Sequence, residues 1–173
     1  MKPSLFNRFR RDPMAMLGLV LLVIILLGVL IIPELSPYRW NDVDGTAKYA
    51  PPSAQHWFGT LRTGNDLFTC IWYGGRSSLV FAGIAASMYC AVGTVLGLWA
   101  GYWGGWVDRL LSGFMSFLHA LPFIPVLMLV AFGMAIQGIA MTPILYTSVS
   151  LFGFLSAPVL FQLIRLQTQS LMQ

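Results

Sequence analysis

MAMLGLVLLVIILLGVLII, residues Met14–Ile32, is a run of nineteen side chains without one charge. As a helix it would reach about 28 Å at roughly 1.5 Å per residue, against a bilayer core of about 30 Å. It reads as a membrane span. Upstream, Met1–Pro13 carries Lys2, Arg8, Arg10 and Arg11 against the single acid Asp12. The excess of positive charge beside an apolar run places that tail in the cytoplasm. A cleaved signal peptide would have a shorter apolar core and a small-residue cleavage site, which this stretch lacks before Pro33, so an uncleaved anchor helix is expected.

Downstream, Arg76 and Asp108 are separated by 31 residues without Asp, Glu, Lys or Arg, and Arg109 and Arg165 by 55. These tracts hold one span and two spans of about 20 residues, which makes four in all. The whole chain is 57% apolar and 9% charged over 173 residues. A soluble domain is about 25% charged, so a soluble globular protein is excluded. The formal charge of +4 does not indicate a nucleic-acid partner, because beyond the N-terminal tail the basic residues are scattered singly. The expected fold class is therefore all-α and polytopic.

Three regions follow. Residues 1–32 form the tail and anchor helix. Residues 33–76 form an external loop, rich in Pro33, Pro37, Pro51 and Pro52, with a short interfacial helix near Asp66–Tyr73 capped by Asn65 or Asp66. Residues 77–173 hold three further spans, near Ser77–Ala100, Phe114–Ile136 and Ile144–Ile164. The turn between the first two, Tyr102, Trp103, Gly104, Gly105, Trp106, Asp108 and Arg109, is aromatic and polar, as membrane surfaces favour. The topology is N-in and C-in. Six basic residues then lie inside (Lys2, Arg8, Arg10, Arg11, Arg109, Arg165) and four outside (Arg39, Lys48, Arg62, Arg76).

Gly93, Gly97 and Gly101 recur every fourth residue, the pattern that lets helix backbones approach closely in lipid. They form a candidate packing seam, whose neighbour is either another subunit's helix or a helix of the same chain. In the third span Pro122 and Pro125 should bend the helix. His119 is an ionisable group at membrane depth, which reads either as lining a pathway or as a neutral group bonded to a neighbouring helix. His119 and Pro122 are the candidate pathway-facing residues. His56, beside Trp57 and Phe58, fits a role in folding the loop better than a metal site. Cys70 and Cys90 read as packing residues rather than a disulfide, lying too far apart along the chain's expected path. No phosphate-binding Gly-rich loop with Lys, no His-Glu-x-x-His and no Cys-x-x-Cys occurs, and no acid falls inside an expected span. The chain is expected to have no enzymatic activity, cofactor or metal.

Several segments carry a family resemblance: Pro51-Pro-Ser-Ala-Gln-His-Trp-Phe-Gly-Thr60, Gly64-Asn-Asp-Leu67, Tyr73-Gly-Gly-Arg-Ser-Ser-Leu79 and Gly97-Leu-Trp-Ala-Gly-Tyr-Trp-Gly-Gly-Trp-Val-Asp108, continuing through Ala120-Leu-Pro-Phe123 and Arg165, Gln167, Ser170 and Leu171. In this order and spacing the chain resembles the second permease subunit of binding-protein-dependent peptide ABC importers, the dipeptide, oligopeptide and nickel group. The resemblance implies an inner-membrane transporter half working by alternating access. Its partners would be a homologous permease, two ATPase subunits and an extracytoplasmic peptide-binding protein, with no nucleic acid. The chain departs from the family at Leu61, where an acid is usual, at Asn65, where Arg is usual, and at Gly113 and Ser116, where a base and an acid are usual. The family's Glu-Ala-Ala coupling segment would begin a few residues after Gln173, so an N-terminal portion of such a permease is expected. A different reading is a non-transporting remnant or interaction protein that packs on a full-length permease through Gly93, Gly97 and Gly101.

Overall fold

The computed structural model describes Phe9 and residues 12–172. The basic side chains Lys2, Arg8, Arg10 and Arg11, on which the orientation of the N-terminus rests, lie outside the described residues. Five helices follow: α1 Pro13–Leu35, α2 Leu67–Trp103, α3 Gly105–Ala120, α4 Phe123–Ile136 and α5 Met141–Met172. The one β-type pairing among the described residues is an isolated bridge between Thr60 and Asp66. The chain divides into two compact units at Ser78 and Leu79.

In the first unit, α1 starts where its sequence dictates. Asp12 accepts hydrogen bonds from the N–H groups of Met14 (3.0 Å) and Ala15 (3.4 Å), and Pro13 occupies the first helical position, where its missing N–H costs nothing. Its exposed apolar surface is what a lipid-facing span presents. Near its end Gly28 meets the ring of Trp72, Val29 is buried, and a Cβ on Gly75 would come within 2.9 Å of the Val29 side chain. The Tyr73 hydroxyl donates to the Pro33 carbonyl at 3.3 Å. Between Ser36 and Asp66 the chain is a closely bonded loop. Gly59 and Gly64 take φ of +74° and +87°, and in both cases a side chain would run into backbone, the Ala50 carbonyl and Asp44 respectively.

The expected break between an interfacial helix and the second span is absent: both belong to α2, 37 residues long. Gly74 and Gly75 lie between the two expected elements and are helical, and Gly75 serves the close approach to Val29. At about 56 Å this helix exceeds the hydrocarbon thickness, so part of it stands outside the membrane.

In the second unit α5 is the central element, against which α3 and α4 pack. The core gathers Ala100, Met115, Leu118 and Phe161, with Val92, Leu96, Leu111, Leu121, Phe154 and Leu155 around it. The expected single span from Phe114 to Ile136 is instead α3 and α4, bent by 78°. Pro122 has no N–H to give the preceding turn, and it drives Leu121 out of helical conformation (ψ 132°). The bend is therefore a break, and α3 begins nine residues before the expected start.

Among the described residues, three helices are long and apolar enough to cross a membrane, or four crossings result if the bent pair is one. Register favours four. Phe81 stacks on Tyr146, Gly153 meets Ala85, and Gly93, Gly97 and Gly101 meet Leu160, Ile164 and Thr168 in turn. The numbers rise together, so α2 and α5 run parallel. The chain between them, α3 and α4, must therefore travel back along their length.

Candidate functional site

The seam is built by matching four-residue spacings on two helices. A Cβ on Gly93 would lie 2.8 Å from Leu160 Cβ, one on Gly97 2.9 Å from both Ile164 Cβ and the Phe161 carbonyl oxygen, and one on Gly101 2.6 Å from Thr168 Cβ and 3.0 Å from the Arg165 carbonyl oxygen. Distances below 3.0 Å are not tolerated by real Cβ atoms, so these positions require hydrogen. Gly153 repeats the device from the α5 side, where a Cβ would sit 3.0 Å from both Ala85 Cα and Met88 Cβ. Of the two neighbours open from sequence, the one in contact is a helix of the same chain.

Where the seam ends, a polar clamp closes it. The Arg165 guanidinium donates to both oxygens of Asp108, through Nε to Oδ1 and through Nη2 to Oδ2 at 2.6 Å. Gln169 Nε2 adds a bond to Oδ2 and the Ser112 hydroxyl one to Oδ1, each at 3.2 Å. Arg165 and Gln169 are four apart on α5, and Asp108 and Ser112 four apart on α3, so each pair shares a face. Sequence reading had treated Asp108 and Arg165 as separate surface charges. The signal was that these are rare charges at the ends of long uncharged tracts, where an acid and a base have few other partners.

His119 and Pro122 are both exposed, in the last turn of α3 and at the N-cap of α4. They are neighbours at the break. Cys70 is half-buried, whereas Cys90 is exposed, so the packing role expected for it is not what the fold shows. Among the described residues no group of three or more His, Cys, Asp or Glu could hold a metal ion.

The loop has its own polar centre. Asp66 precedes α2 and accepts from the Thr69 N–H at 2.8 Å, while its other oxygen lies 3.0 Å from His56 Nδ1. Burial alone would push this carboxyl up, but the hydrogen bonds from Thr69 and His56 outweigh it and hold Asp66 below its ordinary value. His56 also stacks on Tyr38, with ring centroids 4.9 Å apart. Asn65 donates to the Trp40 and Asp42 carbonyls at 2.9 and 2.8 Å. Trp57, Phe58 and Trp72 surround Phe68 with ring centroids 5.0 to 5.9 Å away.

Long apolar helices, a glycine-sealed parallel pair and a closely bonded loop between α1 and α2 define a multi-pass helical membrane protein. Residues 4–52 match the family described as the N-terminal TM domain of oligopeptide transport permease C. The dipeptide transport system permease protein DppC of Alkalihalophilus pseudofirmus is 32% identical over 166 residues, covering 96% of this chain and 52% of the relative. DppC of Bacillus subtilis is 37% identical over 124 residues (72% of this chain, 39% of the relative), and the oligopeptide transport system permease protein OppC of the same organism 35% over 116 residues (66% and 38%). Along nearly its whole length the chain is similar to C-type permeases of peptide transport systems, and it spans about half the length, or less, of the curated relatives it matches.

Proposed function

We propose that this chain is the N-terminal portion of the membrane subunit of a peptide importer, contributing helices to a pathway that opens alternately to either side. Energy would come from two separate ATP-binding subunits, delivery from an extracytoplasmic peptide-binding protein, and the other half of the pathway from a homologous permease. The residues are passive in chemistry, and no enzymatic step is assigned to them. The membrane is the inner one, with both termini cytoplasmic. The observation that carries the reading is the relationship to dipeptide and oligopeptide permeases along nearly the whole chain. In this role the Gly93, Gly97 and Gly101 seam makes α2 and α5 one rigid element. The break at His119 and Pro122, two short helices joined at a proline, is the place where a rigid-body motion could be absorbed and a pathway lined.

Two measurements test this. A tagged chain, purified from solubilised membranes of its host, should bring with it a second permease and ATP-binding subunits. A cysteine placed at Thr46 should react with an impermeant reagent added outside intact cells, and one at Gly105 should not. A chain that purifies alone overturns the transporter reading, and outside labelling at Gly105 overturns the orientation.

A further inference from the structure

A second feature of the loop unit has no part in the transport reading. A cavity of about 480 Å³ opens where α1 ends, between the last turn of that helix, the loop and the start of α2. Its lining includes Ile32 and Leu35 from α1, Trp57 and Phe68, and Asp66. The Asp66 side chain is only 3% exposed. An ionised carboxylate has about four acceptor positions. Two are taken, by His56 and by the Thr69 N–H. A buried anion with spare acceptor capacity beside aromatic faces is suited to a cation, which gains both the charge pairing and the ring quadrupoles. Tyr38, also in the lining, adds a third aromatic ring.

The position of the cavity selects among cations. Ile32 and Leu35 belong to the final turn of a 23-residue membrane-crossing helix. This part of the lining therefore continues the surface that α1 presents to lipid, and a ligand seated here has its polar end at the loop and its apolar end toward the acyl region. Around the polar end, Ser36 and Thr69 share a hydrogen bond of 2.7 Å between their hydroxyls, and Gln55 supplies an amide. The Gln55 amide and whichever hydroxyl accepts in that shared bond can donate to a phosphate. We infer that this cavity is a binding site for a phospholipid with an ammonium headgroup, phosphatidylethanolamine above all, the ammonium on Asp66 among the aromatic rings and an acyl chain along Ile32 and Leu35. Such a lipid would fasten the loop to the membrane surface beside α1. The inference rests on α1 crossing the membrane and is independent of the solute carried.

The test is native mass spectrometry of the full chain in detergent, with dioleoylphosphatidylethanolamine or dioleoylphosphatidylglycerol added. The ethanolamine lipid should be retained about tenfold more strongly. Asp66→Asn should abolish the preference, but it also replaces one of the two carboxylate oxygens that bond Thr69 and His56. The second variant is therefore Ala54→Phe, which places a ring in the cavity from a lining position that makes no side-chain hydrogen bond. With helicity unchanged, Ala54→Phe should lose the ethanolamine lipid to the level of the glycerol lipid. Equal retention of the two lipids by the wild-type chain, or full retention by Ala54→Phe, overturns the site. Displacement of the lipid by free dialanine at equal concentration also overturns it, since the cavity would then recognise an amine without its acyl chains.

Discussion

The loop between α1 and α2 and the seam between α2 and α5 are held together by opposite means. In the loop, three buried polar residues, Thr60, Asn65 and Asp66, bind chain segments that have no regular structure of their own. The Thr60 hydroxyl donates to the Ala47 carbonyl and accepts from the Ala50 N–H. In the seam no side chain bonds across the glycines. Backbones meet because side chains have been removed, and dispersion over the contact does the rest. The difference follows from the solvent. In lipid there is no hydrophobic force between helices, so contact must come from shape, whereas the loop can use hydrogen bonds because its unfolded competitor is merely hydrated.

The sharpest way to break the comparison is to add a side chain to the seam. Gly97→Leu should destabilise the helical unit by about 3 kcal/mol, the upper end of overpacking costs, because both neighbours at 2.9 Å lie on a helix that cannot retreat. Gly83→Leu, on the same helix but with nothing within 4 Å, should cost almost nothing. Thermal unfolding in detergent followed by helical circular dichroism reads both. Equal losses would mean that leucine at any glycine of α2 is harmful and that the seam is not special.

The clamp at the end of the seam is the intermediate case, a loop-like device within the helical unit. Asp108 and Arg165 are 14% and 26% exposed at the side chain, between a surface pair worth about 0 to 1 kcal/mol and a buried one whose breakage costs about 3 to 5. Asp108→Asn and Arg165→Gln should each cost about 2 kcal/mol. The double variant should cost little more than either, giving a coupling of about 1 to 2 kcal/mol by the same unfolding measurement. Strict additivity would show that the pair holds nothing together.

How far these features could be read from sequence depends on how local they are. The seam's glycines announce themselves by spacing, but Leu160, Ile164 and Thr168 are ordinary apolar and hydroxyl residues that nothing marks as their partners. The Asp108–Arg165 bond spans 57 positions, so no periodicity reveals it. The role of Gly75 is equally hidden, because glycine serves both breaks and close approaches and only the neighbour, Val29, distinguishes them. Pro122 was legible as a bend, but its size depends on Leu121 leaving the helix as well. In the loop, Asn65 reads from sequence only as a candidate helix cap. A side chain that closes onto two carbonyls within the same loop cannot be recognised before the loop's path is known.

The smallest effect expected concerns the loop in acid. Asp66 has its carboxyl held below the ordinary value of 3.8 once the chain is folded, burial being outweighed by the bonds from Thr69 and His56. A depressed folded value means that the unfolded state takes up the proton first. The contribution is therefore complete above the ordinary value and disappears as pH falls through the lower folded one. Between pH 7 and pH 5 the loop should be unchanged. Below about pH 3.8 the emission of Trp57 and Trp72, which border Phe68, should shift as the loop loosens. Asp44, exposed and held low by the Thr46 hydroxyl and N–H, titrates in the same range, so the pH course alone does not name the group. Asp66→Asn does so, by removing the acid transition, whereas Asp44→Asn should leave most of it. The helices of the second unit should keep their circular dichroism throughout, because their glycine contacts carry no proton and the Asp108–Arg165 clamp supplies only about 2 kcal/mol of their stability. If they melt in step with the loop, the two regions are not held by separate means, and the contrast drawn between them fails.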